Sequence, residues 1–234
     1  MAPTPSVSAM ARRTPAPKFP PPLPPEPPSE PLVGEHSAVL SHDEWEDERV
    51  FDTDLAGQVA DRVRLTRCEL HRVAFTGAQL RGLALVDVLA VDCELSGAFL
   101  HEALLQRVEL RNCRMTGVVM SQSNLNHVRF VECKLDEANL RLAQADHVQM
   151  SDCSLVDADF YEAALTKSSL DGCDLRGSDF SKASVRGLRL GRSKLDGVRG
   201  AMSMGGVVVE GDQVLPLALS LFGDLRIEIQ NDEV

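Results

Sequence analysis

Residues 133–160 read CKLDEANLRLAQADHVQMSDCSLVDADF, and an apolar residue returns at every fifth place: Leu135, Leu140, Ala145, Met150, Leu155 and Phe160. Two places before each stands a small residue, Cys133, Ala138, Ala143, Val148, Cys153 or Ala158. Followed in both directions, the five-residue rule holds from Leu55 to Leu195 over 29 consecutive positions. With 44% apolar residues, chance produces such a run roughly once in 10^10 trials. The residue two before is Ala, Cys, Ser, Thr or Val in 26 of the 29, with Gln58, Leu83 and Leu188 as exceptions. Two inward positions in five fit neither the helical period of 3.6 nor the strand period of 2. The chain must therefore turn a corner every five residues.

A longer period fixes how many corners close a coil. Cys93, Cys113, Cys133, Cys153 and Cys173 recur at intervals of 20, so four pentapeptides make one coil of square section. Gly57, Gly77, Gly97, Gly117, Gly177 and Gly197 stand two residues after a large inward residue, as a corner of positive φ favours. The run from Leu55 to Leu195 amounts to about seven coils, or about 34 Å at the spacing of neighbouring strands.

Segments such as Ala138-Asn139-Leu140, Ala158-Asp159-Phe160, Cys173-Asp174-Leu175 and Ser178-Asp179-Phe180 carry the pattern small, Asp or Asn, Leu or Phe, then two polar residues. The sequence thereby resembles the pentapeptide-repeat proteins over roughly residues 44–200. The resemblance implies an all-β solenoid, a right-handed quadrilateral β-helix. Gln58 and Ala60 depart from the pattern, so the first coil is expected to be irregular or covered.

The flanks differ in composition. Twelve of the thirteen prolines lie in residues 1–31, and Pro15–Pro31 (PAPKFPPPLPPEPPSEP) reads as a segment with no donors for a ladder and nothing to bury. Residues 1–40 therefore read as a disordered tail, with Met10 as a second candidate start. Phe19–Pro25 also suits the aromatic groove of a proline-binding domain. Ser41-x-x-Glu44 has the form of a capping box, so residues 41–52 read as a short acidic helix over Asp43–Arg49 whose Trp45 plugs an apolar end. An open β-helix must be covered at its other end too. Residues 201–234 supply a cap of β-α-β form: Val207–Val209 as a strand, a helix from Asp212 through Val214–Phe222 with Gly223 as its stop, and Leu225–Ile229 as a last strand. The helix is more apolar than one buried face requires, which points to a homodimer contact. The resemblance implies the same, since family members often dimerise through C-terminal elements.

Chemistry-bearing residues show no catalytic pattern. The six histidines have no paired ligand spacing, and there is no phosphate loop or nucleophile elbow. No enzyme activity, cofactor or metal is expected. Each ladder cysteine occupies the small inward position, where Cys packs as a small hydrophobe. Stacked coils hold such side chains about 4.8 Å apart, farther than a disulfide allows, so free thiols are expected. With no secretory signal, the chain reads as cytoplasmic. No apolar run reaches a membrane-spanning length.

Two surfaces remain as candidates for a protein partner. Glu137, Asp157, Asp159, Glu162 and Asp179 gather on and beside one corner, where a structural role and recognition both stand. Arg67, Arg107, His127, His147 and Lys167 form a weaker basic edge, interrupted by Asp87. The leading reading is a non-catalytic scaffold whose rigid faces bind another protein. The alternative, implied by the resemblance, is a DNA mimic that binds DNA gyrase. The net charge of −11 argues against binding nucleic acid directly. Its distribution weakens the mimic, since residues 53–197 hold 20 acids against 18 bases and a mimic needs its negative charge along the rod.

Overall fold

A computed structural model describes residues 20–228 of the chain. The five-residue rule is met physically by a kink at every corner. Each residue from His42 to Gly197 at a spacing of five has positive φ, whether it is Gly, Asp, Arg, His or even Leu142. All four corners of each coil are thus left-handed, not only the glycine column. Each side of the square points one large and one small residue inward. Leu55, Leu80, Leu105, Phe130, Leu155 and Phe180, for example, are all at most 2% exposed.

Neighbouring coils pair in parallel at a register of 20, as in Leu105↔Leu125 and Leu110↔Phe130. One side carries a ladder of ten strands: Leu32–Gly34, Glu48–Phe51, Glu69–His71, Ala84–Val91, Leu104–Arg111, Asn124–Val131, Gln149–Ser151, Ser169–Asp171, Arg189–Gly191 and Val208–Val209. A second side carries Glu44–Glu46, Arg64–Thr66, Gln144–Asp146 and Ala164–Thr166. In the middle coils the two sides fuse across their corner into eight-residue strands. The remaining two sides are joined by single bridges such as Asn139↔Asp159 and Lys134↔Ser154.

The solenoid has about nine turns rather than the seven read from sequence. The difference lies at the ends. The expected acidic helix over Asp43–Arg49 does not form; its residues are the strands Glu44–Glu46 and Glu48–Phe51. Trp45 and Val50 continue the series of Leu55 backward and are buried, so inward packing prevails over the local capping signal. Trp45 still plugs the end, with His36 stacked on it at 3.7 Å and Val39 buried beside it. The coil containing Gln58 and Ala60 is regular, since Val59 bridges to Gln79 and Ala60 is buried.

The expected C-terminal cap is partly realised. Val208–Val209 pairs with Arg189–Leu190. A 3-10 turn, Gly211–Gln213, leads into the helix α1 (Val214–Asp224), closed by a capping box between Glu210 and Gln213. Gln213 is buried and donates Nε2 to the Ser193 carbonyl at 2.8 Å, which satisfies a backbone acceptor at the open end of the rod. The helix begins at Val214 rather than Asp212, and it passes Gly223 to end at Asp224. Leu225–Glu228 forms no strand, which corrects the β-α-β reading to β-α; Ile229 lies outside the described residues.

The proline-rich segment also departs from expectation. Residues 20–40 are not a free tail: Pro20–Pro31 lies along the rod as a strap, and Leu32–Gly34 then pairs with Glu48–Val50 as the first strand. Phe19 and all residues before it lie outside the described residues.

Candidate interaction surface

Because the inside is filled by apolar side chains, the polar chemistry lies in columns on the outside, repeating every 20 residues. The basic edge is one corner column: Asp47, Arg67, Asp87, Arg107, His127, His147 and Lys167, all with positive φ. It is not a row of free cations. Arg67 forks onto Asp47 at 2.6 and 2.8 Å, and Arg107 grips Asp87 in the same way. His127 and His147 stack at 4.6 Å, and Lys167 approaches Asp146 at 3.8 Å. The Arg67 bond holds the Asp47 carboxyl below its ordinary value. Burial raises Asp87, but its bonds to Arg107 and to the Glu26 amide outweigh this and leave it low. Burial first, and then the charge of His147, lowers His127.

The acidic cluster is likewise largely neutralised. Asp159 meets Arg141 at 3.0 Å, Glu162 meets Lys182 at 3.1 Å, and Asp179 lies 3.8 Å from Arg199. Asp159 and Asp179 each also accept the backbone N–H two residues on, from Tyr161 and Ser181, at 2.9 and 2.8 Å. The bond is made within the same coil, to the residue two places on, and not to the backbone of the next coil as the repeat pattern suggests. Glu137 and Asp157 sit on adjacent corners of one column, with no cation within 4.0 Å among the described residues. Tyr161, which the sequence did not single out, lies between two cations: Arg141 stands 4.1 Å above its ring, and Lys182 donates to its hydroxyl.

The strap covers the side next to the basic edge. Pro22 and Pro28 are buried, Pro25 and Pro31 half-buried, and the other residues of 20–30 exposed, so every third residue faces the rod. Leu23 donates its N–H to His127 Nδ1 at 3.1 Å, and Glu26 donates its N–H to Asp87 Oδ1 at 3.3 Å. Arg129 Nη2 donates to the Pro22 carbonyl at 2.6 Å. Leu89 and Glu109 lie beneath Pro24, Pro25 and Pro27. Asp87, Glu109 and Arg129 were not legible as a site from sequence, because what unites them is a segment some 60 to 107 residues distant in the chain.

The model of the pentapeptide repeat region matches residues 63–140 and 127–199, together more than half of the chain. The chain belongs to the pentapeptide repeat family. Among solved structures it is similar to HetL, a pentapeptide repeat protein involved in heterocyst differentiation regulation from the cyanobacterium Nostoc sp. strain PCC 7120. That match has 19% identity over 73% of this chain and 87% of that one, with a TM-score of 0.38. It is also similar to a trypsin-treated form of QnrB1, a plasmid-mediated fluoroquinolone resistance protein. There the identity is 19% over 84% of this chain and 94% of that one, with a TM-score of 0.30. No curated protein matches the chain.

In this pentapeptide repeat rod the cysteines are core residues. Cys68, Cys93, Cys113, Cys133, Cys153 and Cys173 are all free and buried. Each thiol points at backbone carbonyls of its own and the preceding coil, as Cys133 does at Val131 and Leu110, both at 3.4 Å. Burial pushes the Cys68 thiol up. Cys113 and Cys153 are raised first by their contact with Cys133 and further by burial. The apolar cavity under Trp45 measures only about 30 Å³, room for one water at most and lined by nothing that would hold it. Among the described residues no group of three or more His, Cys, Asp or Glu is placed to hold a metal ion. No described helix is long and apolar enough to cross a membrane.

Proposed function

We propose that the protein is a non-catalytic scaffold that works by presenting its outer surface to other polypeptides, assembled as a homodimer through α1. The observation that carries this reading is the apolar stripe of that helix. Leu215, Leu219 and Phe222, at helical spacings of four and three, are 67, 49 and 37% exposed, while Leu217 on the opposite side packs against the core. A stripe of this kind in water favours association. A second copy meets it with the same stripe about a two-fold axis. Sedimentation velocity is expected to give a dimer for the full chain and a monomer for Leu219→Glu. A monomer at every concentration for the unaltered chain contradicts the reading.

The gyrase-binding reading is disfavoured by the pairing of Asp159, Glu162 and Asp179 with cations, because a phosphate mimic needs unneutralised charge in sequence along the rod. A supercoiling assay is expected to show no inhibition and no protection by the protein at micromolar concentration. Inhibition there overturns the preference.

A further inference from the structure

We propose that the side of the rod lined by Asp87, Leu89, Glu109, His127 and Arg129 is a binding groove for polyproline II segments of the pattern (Pro-Pro-x)n, where x is any residue except proline. The chain's own strap holds this groove, and a proline-rich segment of another protein takes its place. The inference does not depend on the α1 assembly, which involves the far end of the molecule.

Two lengths coincide along this side of the rod. A polyproline II segment advances about 9.3 Å in three residues, and two coils of stacked strands advance about 9.6 Å. The strap obeys this match: Leu23 is bonded at His127 and Glu26 at Asp87, three strap residues across two coils. Its sequence has the same period, as Pro21-Pro22-Leu23, Pro24-Pro25-Glu26 and Pro27-Pro28-Ser29. The middle proline of each triplet faces the rod, supplying rigid apolar contact with little ordering cost. In the first two triplets the third residue supplies the N–H that the corner column accepts. Proline there has no hydrogen to donate, so the two acceptors explain why the run is broken where it is. The side chains of Leu23 and Glu26 are exposed, so the groove leaves x otherwise free. Arg129 reads the backbone carbonyl of the first triplet.

The resident strap is not an ideal ligand. Arg129 Nε is buried with no hydrogen-bond partner among the described residues, a cost that a differently placed carbonyl removes. Such a shortfall leaves a competing segment an interaction to gain that the strap does not make.

The test uses a fluorescent peptide of residues 20–31 and the full chain carrying Leu23→Pro and Glu26→Pro. These changes keep the strap's conformation but delete its two donors. Saturable one-to-one binding to this variant is expected. The peptide bearing the same two prolines should bind at least about tenfold more weakly, the scale of two lost hydrogen bonds. The unaltered chain, whose own strap competes at high effective concentration, should also bind the original peptide at least about tenfold more weakly. Absence of binding to the variant, or equal binding of the two peptides, overturns the proposal. Circular dichroism establishes that the variant is folded. In the unaltered chain, amide exchange offers an independent reading: the Leu23 and Glu26 amides should exchange at least about tenfold more slowly than the Glu30 amide. Equal protection factors overturn the proposal as well. His127 accepts through Nδ1 and is faced by Arg107, Asp146, His147 and Lys167. A proton on Nδ1 removes the acceptor, so docking is fully favoured above the ordinary histidine value and is lost as pH falls through the lowered value of His127. Protection at Leu23 should therefore fall on acidification before that at Glu26, and the reverse order contradicts the assigned acceptor.

Discussion

Replacing Phe160 by alanine is expected to lower the unfolding free energy by about 3–5 kcal/mol, a fall of roughly 10 °C in the melting midpoint for a chain of this size. Phe160 is 2% exposed and lies face to face with Phe180 of the next coil, at 4.7 Å between centroids and 8° between planes. Its loss removes transfer free energy and opens a void, and it also strips one face from the Phe180 ring. In a solenoid each coil contacts only its neighbours, so no distant packing rearranges to fill the gap. Phe160→Leu keeps most of the volume and should cost less than about 1.5 kcal/mol. Thermal denaturation of the two variants beside the unaltered chain checks this. Equal midpoints for both are incompatible with stacked coils sharing one core.

Gly200→Ala should be the other severe change, at about 3 kcal/mol. Gly200 has φ +77, and a Cβ there would lie 2.2 Å from the Ser181 nitrogen and 2.5 Å from the Phe180 carbonyl carbon. Both atoms belong to backbone of the preceding coil, so nothing flexible can move aside. Gly197 provides the comparison. It has φ +68, but a methyl group added there would have the Gly177 nitrogen as its nearest neighbour, at 3.8 Å. Gly197→Ala should thus cost only the left-handed strain, about 1 kcal/mol. Chemical denaturation that ranks the two glycines in the opposite order contradicts the stacking of the last coil on Phe180–Ser181.

The rod itself was legible because its rule is local and repeated. Each pentapeptide states its own inward pair, and the Cys93–Cys173 series states the coil. The limits of the rod were less so. Ser41 to Arg49 carries a local helix signal, and only the position of Trp45 in the series Trp45, Val50, Leu55 says that packing overrides it. Charge columns could be read from spacing, since Asp47 and Arg67, or Asp87 and Arg107, stand 20 apart. The neutralisation of Asp159 by Arg141 arises from an offset of 18, which depends on side-chain reach rather than register. The strap was hidden for another reason. The three-residue period of its prolines is that of any free polyproline II segment, and its partners His127 and Asp87 are fixed by a match of lengths that exists only once the coils are stacked.

Every thiol lies in the core, and the outer surface is left to function. Thiol titration of the native protein tests this most directly. None of the six cysteines should react within minutes in the folded chain, and all six should react once it is unfolded in denaturant. Rapid labelling of the Cys93–Cys173 series in the native state would contradict the account, because it would open to solvent the column on which the stacked coils depend.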